Sequence, residues 1–497
     1  MASKWNFYIR RRQRLVLTLG YLSLVSLIAF FFSRFVNYSG IFDRKSLLVI
    51  ELNRDRPPLP FQKPLLLISS RWNYGVAENY TNPLSSNAYL PIAFYNDTDP
   101  LWSSSKAETI KNPTQLWKHI RKVNEAHLIR NRDRFGDEPL LFIIIIQVHN
   151  RSTHLMYLIE SLRKVRYIEK ALVVFSHDFF SPETNRMLEA IRFVRFTQIF
   201  FPYSKQLFPN SYPGPHIKDC HNKGDQNCLT QEWQDIAGNF RNPRFTQVKH
   251  HWMWKLSFLM NKMNVSQNFP GWFILLEEDY VVLPDMLHVL SLTEQHAASF
   301  DIVALGSYET SQSFNSPDYV YTSDWASPKH NMGMAFKRSL YERVKSCFNV
   351  FCLYDDYNWD WSFSFIDRTC LNPRLRVLHF KNCGRVFHTG SCGLHSKGSN
   401  CDDVEASIKK IMDQTSSRLS QDLFPKSLSV SPYTVRSISK PNGGWSDPRD
   451  LGLCLAIVSN RWKPLAGLLS ADIVKSRRLD IFEPLIPGIS NSESSVL

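Results

Sequence analysis

The chain contains 497 residues, 43% of them hydrophobic, which suffices for one large catalytic domain with accessory segments or for two ordinary domains. Its formal net charge of +14 is compatible with nucleic acid, a membrane surface or a small anionic substrate as a partner. Outside the N-terminus the basic residues are dispersed and no nucleic-acid-binding module is recognisable, so nucleic acid is excluded as a predicted partner.

Residues 15–32 form an apolar segment without a charged side chain. As a helix it spans about 27 Å, close to the hydrocarbon thickness of a thin bilayer. The preceding tail, residues 1–14, carries the basic side chains Lys4, Arg10, Arg11, Arg12 and Arg14. Positive charge keeps this tail cytoplasmic, and no small-residue cleavage site follows the apolar segment. We therefore expect a single-pass type II signal anchor, with the rest of the chain in the lumen of the secretory pathway.

The nine cysteines all follow residue 219, and none forms a CxxC pair, so the spacing of a zinc site is absent. Such clustering behind a membrane segment favours disulfides in an oxidising lumen, with one thiol left over. In that compartment the sequons predict N-glycosylation at Asn37, Asn79, Asn96 and Asn264. Asn150 also begins a sequon, but we expect it to be unmodified because it ends an apolar strand at a predicted ligand site.

Residues 33–112 are rich in Pro, Ser, Asn and Asp, which predicts a loosely ordered stem. Hydrophobic periodicity then predicts helices over 113–133, 154–165 and 247–263, and buried strands over 140–151, 171–178, 192–202, 271–279 and 300–308. Strands that alternate with helices predict an α/β fold with a mostly parallel sheet. The chain lacks a GxGxxG or Walker loop, which excludes ordinary dinucleotide and P-loop sites.

Polar residues follow three of the predicted strands, at 149–151, 177–178 and 277–279. Ligands of parallel sheets bind at the carboxyl ends of the strands, so these residues are the first candidates for a site. Glu277, Glu278 and Asp279 would repel one another without a cation, and oxygen ligands suit Mg²⁺ or Mn²⁺. The alternative is an acidic turn that caps a helix.

Two further segments have both a functional and a structural interpretation. The run at 354–361 combines carboxylates with aromatic rings, which suits sugar binding and a general base, or an acidic loop with core tryptophans. His388 lies between an apolar strand and a glycine-containing turn, where it is either a metal ligand or a hydrogen-bonded structural histidine. The residues alone leave both choices open.

Eight short strings occur in a defined order: QVHNR (147–151), FSHDF (175–179), KHHWMWKL (249–256), EED (277–279), HNMGMAF (330–336), YDDYNWDW (354–361), FHTGSCG (387–393) and NGGW (442–445). Together they resemble the N-acetylglucosaminyltransferase II family over residues 113–455. The resemblance implies a Rossmann-like GT-A catalytic domain in the Golgi membrane, UDP-GlcNAc as donor, and Mn²⁺ in preference to Mg²⁺. It further implies β-1,2 transfer of GlcNAc to the α-1,6-arm mannose of N-glycans, which converts hybrid to complex N-glycans.

The resemblance also assigns roles. The donor would contact Gln147, Val148, His149, Asn150, Arg151, Asp178, Gln247, Val248, Lys249, His250 and His251. Asp279 and His388 would ligate the metal, and Asp360 would deprotonate the mannose 2-hydroxyl in one inverting displacement. Glu277 is a candidate substrate contact. Gln312 is another, since it lies where the family pattern has an arginine.

The implied disulfides are Cys220–Cys228, Cys347–Cys370, Cys352–Cys454 and Cys392–Cys401, which leave Cys383 as the odd thiol. A short-range cysteine pair that the family has before the strand at 300–308 is missing. Residues 456–497 extend past the usual end of the family, and we assign them no role. The sequence does not distinguish a monomer from a homodimer.

Two other functions are compatible with the sequence. One is a related transferase with another mannose acceptor, such as N-acetylglucosaminyltransferase I or the protein O-mannose enzyme. The string EED stands where N-acetylglucosaminyltransferase I has EDD, and this difference argues against that alternative. The other is a lumenal glycan-binding protein with a decayed site, which the intact Asp279, His388 and Asp360 argue against.

Overall fold

A computed structural model describes residues 112–136, 138–309, 312, 316–390, 404–416, 423–435 and 440–459. The predicted tail, the signal anchor, the stem up to residue 111, three sequons and the Cys392–Cys401 pair lie outside these residues. No helix in the described part of the chain is long and apolar enough to cross a membrane. The fourth sequon begins at Asn264, whose side chain is exposed.

The strands are β1 (Phe142–Val148), β2 (Ala171–His177), β3 (Arg195–Phe200), β4 (Trp272–Glu277), β5 (Tyr280–Val282), β6 (Ile302–Ala304), β7 (Tyr319–Asp324), β8 (Met334–Phe336), β9 (Arg376–His379), β10 (Val386–His388) and β11 (Ser429–Pro432). The α-helices are α1 (Pro113–Ala126), α2 (Arg132–Phe135), α3 (Ser152–Arg163), α4 (Pro182–Glu189), α5 (Pro243–Lys262), α6 (Asn264–Gln267), α7 (Met286–Leu292), α8 (Ser327–His330), α9 (Arg338–Lys345), α10 (Phe348–Leu353), α11 (Trp359–Thr369), α12 (Val404–Ser416) and α13 (Pro448–Ser459).

One nine-stranded sheet organises these elements, in the order β11-β7-β9-β6-β8-β4-β1-β2-β3. Neighbouring strands are parallel except where β8 pairs with β4 and β6, and where β7 pairs with β9. The prediction of an α/β fold with a mostly parallel sheet is therefore confirmed. A separate antiparallel ribbon joins β5 to β10 and places His388 opposite Tyr280.

The position of β1 inside the sheet explains why its sequence is mostly apolar and does not alternate between apolar and polar residues. Successive side chains of a strand point to opposite faces of the sheet. Ile143 and Ile145 pack into one hydrophobic cluster, and Ile144 and Ile146 pack into the other. Because helices cover both faces, each apolar side chain of the strand is buried.

The predicted helix over 113–133 is interrupted. Helix α1 ends at Ala126 because His127 adopts the left-handed conformation, with φ 45°, and only four residues return to helix in α2. Conversely, α5 begins four residues before the predicted start at 247. Pro243 occupies its first turn and the Asn242 side chain accepts from the Arg244 N–H, a strong start signal.

The predicted domain end at residue 455 falls inside α13, which runs to Ser459. The disulfide Cys352–Cys454 ties α13 to α10, and Ser257 of α5 donates a hydrogen bond to the Ile457 carbonyl over 3.2 Å. The structure also contains the disulfides Cys220–Cys228 and Cys347–Cys370. Cys383 is a buried free thiol, in agreement with its expected place as the odd cysteine.

Candidate active site

The carboxyl ends of β1, β2 and β4 meet at one edge of the sheet. Beyond the strands, the Asp178 N–H donates to the Val148 carbonyl at 3.1 Å, and the Glu278 N–H donates to the Gln147 carbonyl at 3.0 Å. These bonds hold the three polar segments side by side, as the sequence predicts. The segments form the floor of the candidate site.

Asp178 is the centre of a buried polar pocket. Its carboxylate lies 2.5 Å from His149 Nδ1 and 3.6 Å from His251 Nδ1, and it accepts from Gln247 Nε2 at 2.9 Å. Burial alone raises the pKa of Asp178, but the hydrogen bonds and charges of His149 and His251 lower it well below its usual range. The carboxylate is therefore ionised and fixed in orientation.

Helix α5 contributes to this pocket from one face only. Gln247, His251 and Lys255 are spaced four residues apart and so lie on the same side of the helix. Lys255 Nζ donates to Gln147 Oε1 at 2.6 Å. Burial lowers the pKa of Lys255 to about 8, although Glu277 and Asp178 oppose the shift. No role was predicted for Lys255, but its spacing from Gln247 and His251 is the signal that could have found it.

Four of the predicted donor-binding side chains do not face this pocket. Lys249 and His250 lie on other faces of α5, where Lys249 Nζ contacts main-chain carbonyls and His250 Nε2 lies 3.1 Å from the Asp450 carbonyl oxygen. The side chains of Val148 and Val248 pack into the hydrophobic clusters. The helical period explains the correction at α5, since a run of five helical residues cannot present every side chain to one ligand.

Glu278 holds the loop after β1. Its Oε2 accepts from the His149 N–H at 3.0 Å and from the Arg151 N–H at 3.2 Å. Burial raises the pKa of Glu278 to about 7, although these two hydrogen bonds oppose the shift. Glu278 therefore supports the loop through its carboxylate.

Asp279 and His388 form the candidate metal site. The β5–β10 ribbon brings His388 Nε2 to 3.1 Å from Asp279 Oδ2, and Arg151 contacts the same oxygen. Asp279 Oδ1 is buried without a hydrogen-bond partner among the described residues. Thr389 fixes the backbone by donating to the Asp279 carbonyl from both its N–H and its hydroxyl, at 2.8 Å each.

This donor set fits a divalent cation that is shared with a substrate. In the part of the chain described, no group of three or more His, Cys, Asp or Glu side chains is arranged to hold a metal ion. Mg²⁺ and Mn²⁺ are commonly held by one or two protein ligands together with substrate phosphates and water. One carboxylate with an unpartnered oxygen and one imidazole nitrogen meet that requirement. Gly390 is needed beside them, since a Cβ there would lie 2.8 Å from Asp279 Oδ2.

Asp360 lies in the first turn of α11 and is buried. Its Oδ2 accepts from the Ser327 hydroxyl at 2.6 Å and from Asn331 Nδ2 at 2.9 Å. Because β8 runs antiparallel to β4, the residues just before β8 lie at the edge where β4 ends. The sequence did not single out Ser327 or Asn331, although Asn331 belongs to the string HNMGMAF.

Glu277 lies within electrostatic reach of both the metal pair and Asp360. Burial raises the pKa of Glu277 to about 7, and the charges of Asp279 and Asp360 add to the shift. Burial likewise raises the pKa of Asp360. The candidate metal ligand and the candidate base therefore share one carboxylate neighbour.

Gln312 does not replace the missing arginine. Its Nε2 donates to the Glu309 carbonyl at 3.0 Å, and its Oε1 accepts from the Gly384 N–H at 3.1 Å. The side chain is buried and both ends of its amide bind backbone. Its predicted substrate contact is therefore not supported, since the amide links two loops instead.

Sequence comparison places the chain among known proteins. A model of the N-acetylglucosaminyltransferase II family matches residues 117–454. The α-1,6-mannosyl-glycoprotein 2-β-N-acetylglucosaminyltransferase of Sus scrofa is 36% identical over 371 residues, which cover 71% of this chain and 82% of the relative. The Homo sapiens enzyme of the same name is 37% identical over 351 residues, which cover 67% and 77%.

Two solved structures are distantly similar to the chain. A mannosyltransferase from Pyrobaculum calidifontis, in complex with GDP-Man and Mn²⁺, is 9% identical with a TM-score of 0.27, covering 75% of this chain and 93% of that one. S. aureus TarS 1–349 in complex with UDP-GlcNAc is 11% identical with a TM-score of 0.28, covering 69% and 89%. Neither likeness bears on the site. The family match spans more than half of the chain and the curated relatives are well above 30% identical, so the chain belongs to the N-acetylglucosaminyltransferase II family.

Proposed function

We propose that this chain transfers GlcNAc from UDP-GlcNAc, in β-1,2 linkage, to the α-1,6-arm mannose of N-glycans, a step that converts hybrid to complex glycans. Family membership and the names of its relatives support this activity. The structural observation that carries it is the meeting of Asp178, the Asp279–His388 pair and Asp360 around one edge of a mostly parallel sheet. A mostly parallel sheet with these residues at one edge also supports a GT-A type of fold.

The Asp178 pocket would hold the nucleotide. An ionised, buried carboxylate is a strong acceptor for the uracil N–H, and Gln247 and His251 hold it in place. Arg151, which contacts Asp279, and Lys255, which contacts Gln147, would supply positive charge for the diphosphate. Asp279 and His388 would hold Mn²⁺ in preference to Mg²⁺, since one ligand is an imidazole. When bound, such an ion neutralises the charge that develops on the departing UDP.

Asp360 would act as the general base. Two hydrogen bonds to Oδ2 fix its carboxylate, and its raised pKa increases its basicity. The proton of the mannose 2-hydroxyl passes to Asp360 while the oxygen attacks the anomeric carbon of GlcNAc. The bond to UDP breaks on the opposite side of that carbon, so the α-linked donor gives a β-linked product.

We place the enzyme in the Golgi membrane as a type II protein whose catalytic domain is lumenal. The apolar segment at 15–32 and the three disulfides of the catalytic domain support this location. The full chain, made in cultured animal cells, should lose one N-glycan when Asn264 is changed to Gln. An unglycosylated wild-type chain would contradict a lumenal domain.

Acceptor profiling distinguishes this function from the alternatives. The detergent-solubilised full chain is given UDP-GlcNAc, Mn²⁺ and either a Man₃ core glycan or the same glycan with GlcNAc on the α-1,3 arm. We expect transfer to the second glycan, with loss on chelation of the metal. Faster transfer to the bare core would favour a related transferase, and no transfer to any acceptor would favour a glycan-binding protein.

A further inference from the structure

Two buried lysines of helix α5 point to different parts of the molecule. Lys249 and Lys255 are both almost inaccessible, with 0% and 2% exposure. They lie six residues apart, roughly 240° around the helix axis. Lys255 faces Gln147 in the donor pocket, whereas Lys249 Nζ donates to the carbonyls of Tyr354 at 3.1 Å and Asp356 at 2.8 Å. Lys249 therefore contacts the segment that leads to Asp360.

The second anchor of that segment is Asp356, which is fully buried. Its Oδ1 accepts from the N–H and the side-chain amide of Asn358, at 2.9 Å each. Its Oδ2 accepts from the N–H of Asn442 at 2.9 Å and from its side-chain amide at 3.1 Å. One carboxylate thus binds the residue before α11 to a loop more than eighty residues further along the chain.

That loop, 442–445, is itself held from three sides. The Gly444 N–H donates to Asp235 at 2.7 Å, and the Trp445 N–H donates to Asp355 at 2.9 Å. A Cβ at Gly443 would lie 2.3 Å from Asp235 Oδ2, so only glycine fits there. The Trp445 ring lies 4.2 Å from Lys249 Nζ, in cation–π geometry. The loop and Lys249 therefore contact each other, and both hold residues 354–358 in place.

These contacts set the start of α11 and with it the place of Asp360. The Ser362 hydroxyl in the first turn donates to the Asp356 carbonyl at 3.2 Å, so the anchored segment continues into the helix. The contacts of Lys249 and the 442–445 loop involve neither Ser327 nor Asn331, the two residues that bind Asp360 directly. They control where the helix begins rather than how the carboxylate is oriented.

We propose that Lys249 and Asp356 are positioning residues that hold the Asp360-bearing segment against the donor-binding helix. This proposal rests on the proposed function, because it assigns Asp360 to the acceptor. Lys249 then belongs to the acceptor side of the site, in place of the donor contact that the family resemblance implied. Helix α5 then serves both substrates. One of its faces lines the nucleotide pocket, and another positions the segment that carries the general base.

The test compares Lys249→Met with Lys255→Met in the full chain. Both changes remove a buried amino group from the same helix and keep a side chain of similar length. We expect Lys249→Met to keep the UDP dissociation constant within about twofold, by calorimetry with Mn²⁺, while kcat for transfer falls about tenfold or more at little changed acceptor KM. Lys255→Met should weaken UDP binding instead. A purely structural role would lower the melting temperature without separating these readouts.

Asn442→Ala provides a second variant if Lys249→Met fails to fold. It removes one donor to Asp356 and leaves the backbone bond, so it should lower kcat without weakening UDP binding. Weaker UDP binding with unchanged kcat in Lys249→Met, or normal kcat in every variant that folds, would overturn the proposal. If the wild-type chain transfers GlcNAc to no acceptor, the proposed function is refuted instead. The UDP affinities of the variants would still be measurable in that case.

Discussion

At Asp279, two basic side chains meet around a single carboxylate. Arg151 and His388 both contact Oδ2, while Oδ1 is buried without a partner among the described residues. Burial raises the pKa of Asp279, but His388 and Arg151 outweigh burial and lower it. The carboxylate is therefore ionised at neutral pH and can accept a cation in exchange for one of its present partners.

Removal of the imidazole tests the metal site at the residue scale. His388→Ala should weaken Mn²⁺ binding in the presence of UDP by about tenfold or more, because it deletes one of the two proposed protein ligands. Titration calorimetry measures the change. His154→Ala is a matched control, since His154 also lies within electrostatic reach of Asp279 but is not a proposed ligand. Equal effects of the two changes would count against His388 as a ligand.

Glu278 gives the site a pH-dependent cost in stability. Burial raises its pKa from 4.5 to about 7. The protonated side chain therefore stabilises the folded state fully below pH 4.5, and this contribution is lost as the pH rises through 7. Glu278→Gln keeps an acceptor for the two N–H groups and stays neutral. With a metal chelator present, this substitution should raise the melting temperature at pH 8 and raise it much less at pH 5. An equal shift at both pH values would contradict this account.

The sequence located some of these residues better than others. Strand ends predicted Asp178 and Asp279, because a polar residue directly after a buried strand has a defined place at the sheet edge. Local patterns gave His388 and the carboxylates at 354–361 both a functional and a structural interpretation, and only the family resemblance assigned the roles of His388 and Asp360. More than a hundred residues separate His388 from Asp279, and no local pattern records that contact. The mistaken placement of Lys249 and Gln312 has the same origin: a motif names residues but does not say which way each side chain points.

At the scale of elements, the β5–β10 ribbon delivers His388 to the sheet edge. A buried ion pair anchors this ribbon: Arg385, next to β10, binds Asp285, which precedes α7, at 3.1 Å, and both side chains are inaccessible. Arg385 also donates to the Pro317 carbonyl at 2.9 Å. The pair thus ties the ribbon to two neighbouring loops.

Loss of one partner of this pair should be costly. Asp285→Ala leaves the Arg385 guanidinium buried without its counter-charge, which should lower the free energy of unfolding by about 3–5 kcal/mol. Urea denaturation measures it. Glu125→Ala breaks the exposed pair with Arg121 and should cost less than about 1 kcal/mol. A similar small effect at Asp285 would show that the ion pair does not anchor the ribbon.

The long elements were predictable and the short ones were not. Continuous apolar runs predicted β1 to β4 and β6, with ends displaced by at most four residues. The sequence did not predict β5, β7, β8, β9 or β11. Four of these strands have only three or four residues, which show too little periodicity to distinguish them from loops, and the six-residue β7 contains no continuous apolar run. The antiparallel insertion of β8 between β4 and β6 depends on pairing between distant segments, which a local pattern cannot specify.

On the scale of the whole molecule, the chain closes on itself around helix α5. The disulfide Cys352–Cys454, the loop at 442–445 and helix α13 all return the C-terminal part of the domain to this helix. The donor pocket, made largely by the first half of the domain, thereby meets Asp360 and His388 from the second half. The proposed site requires this closure, since neither half contains all of its residues.

The transfer activity of Asp360→Asn, measured beside its UDP affinity, tests the central claim most directly. Asparagine has the same shape and keeps an oxygen for Ser327 and Asn331, but it cannot take the proton of the mannose hydroxyl. We predict that transfer to the GlcNAc-bearing acceptor falls by about a hundredfold or more, while UDP binds with Mn²⁺ as in the wild type. Turnover within a few-fold of the wild-type rate would contradict the account.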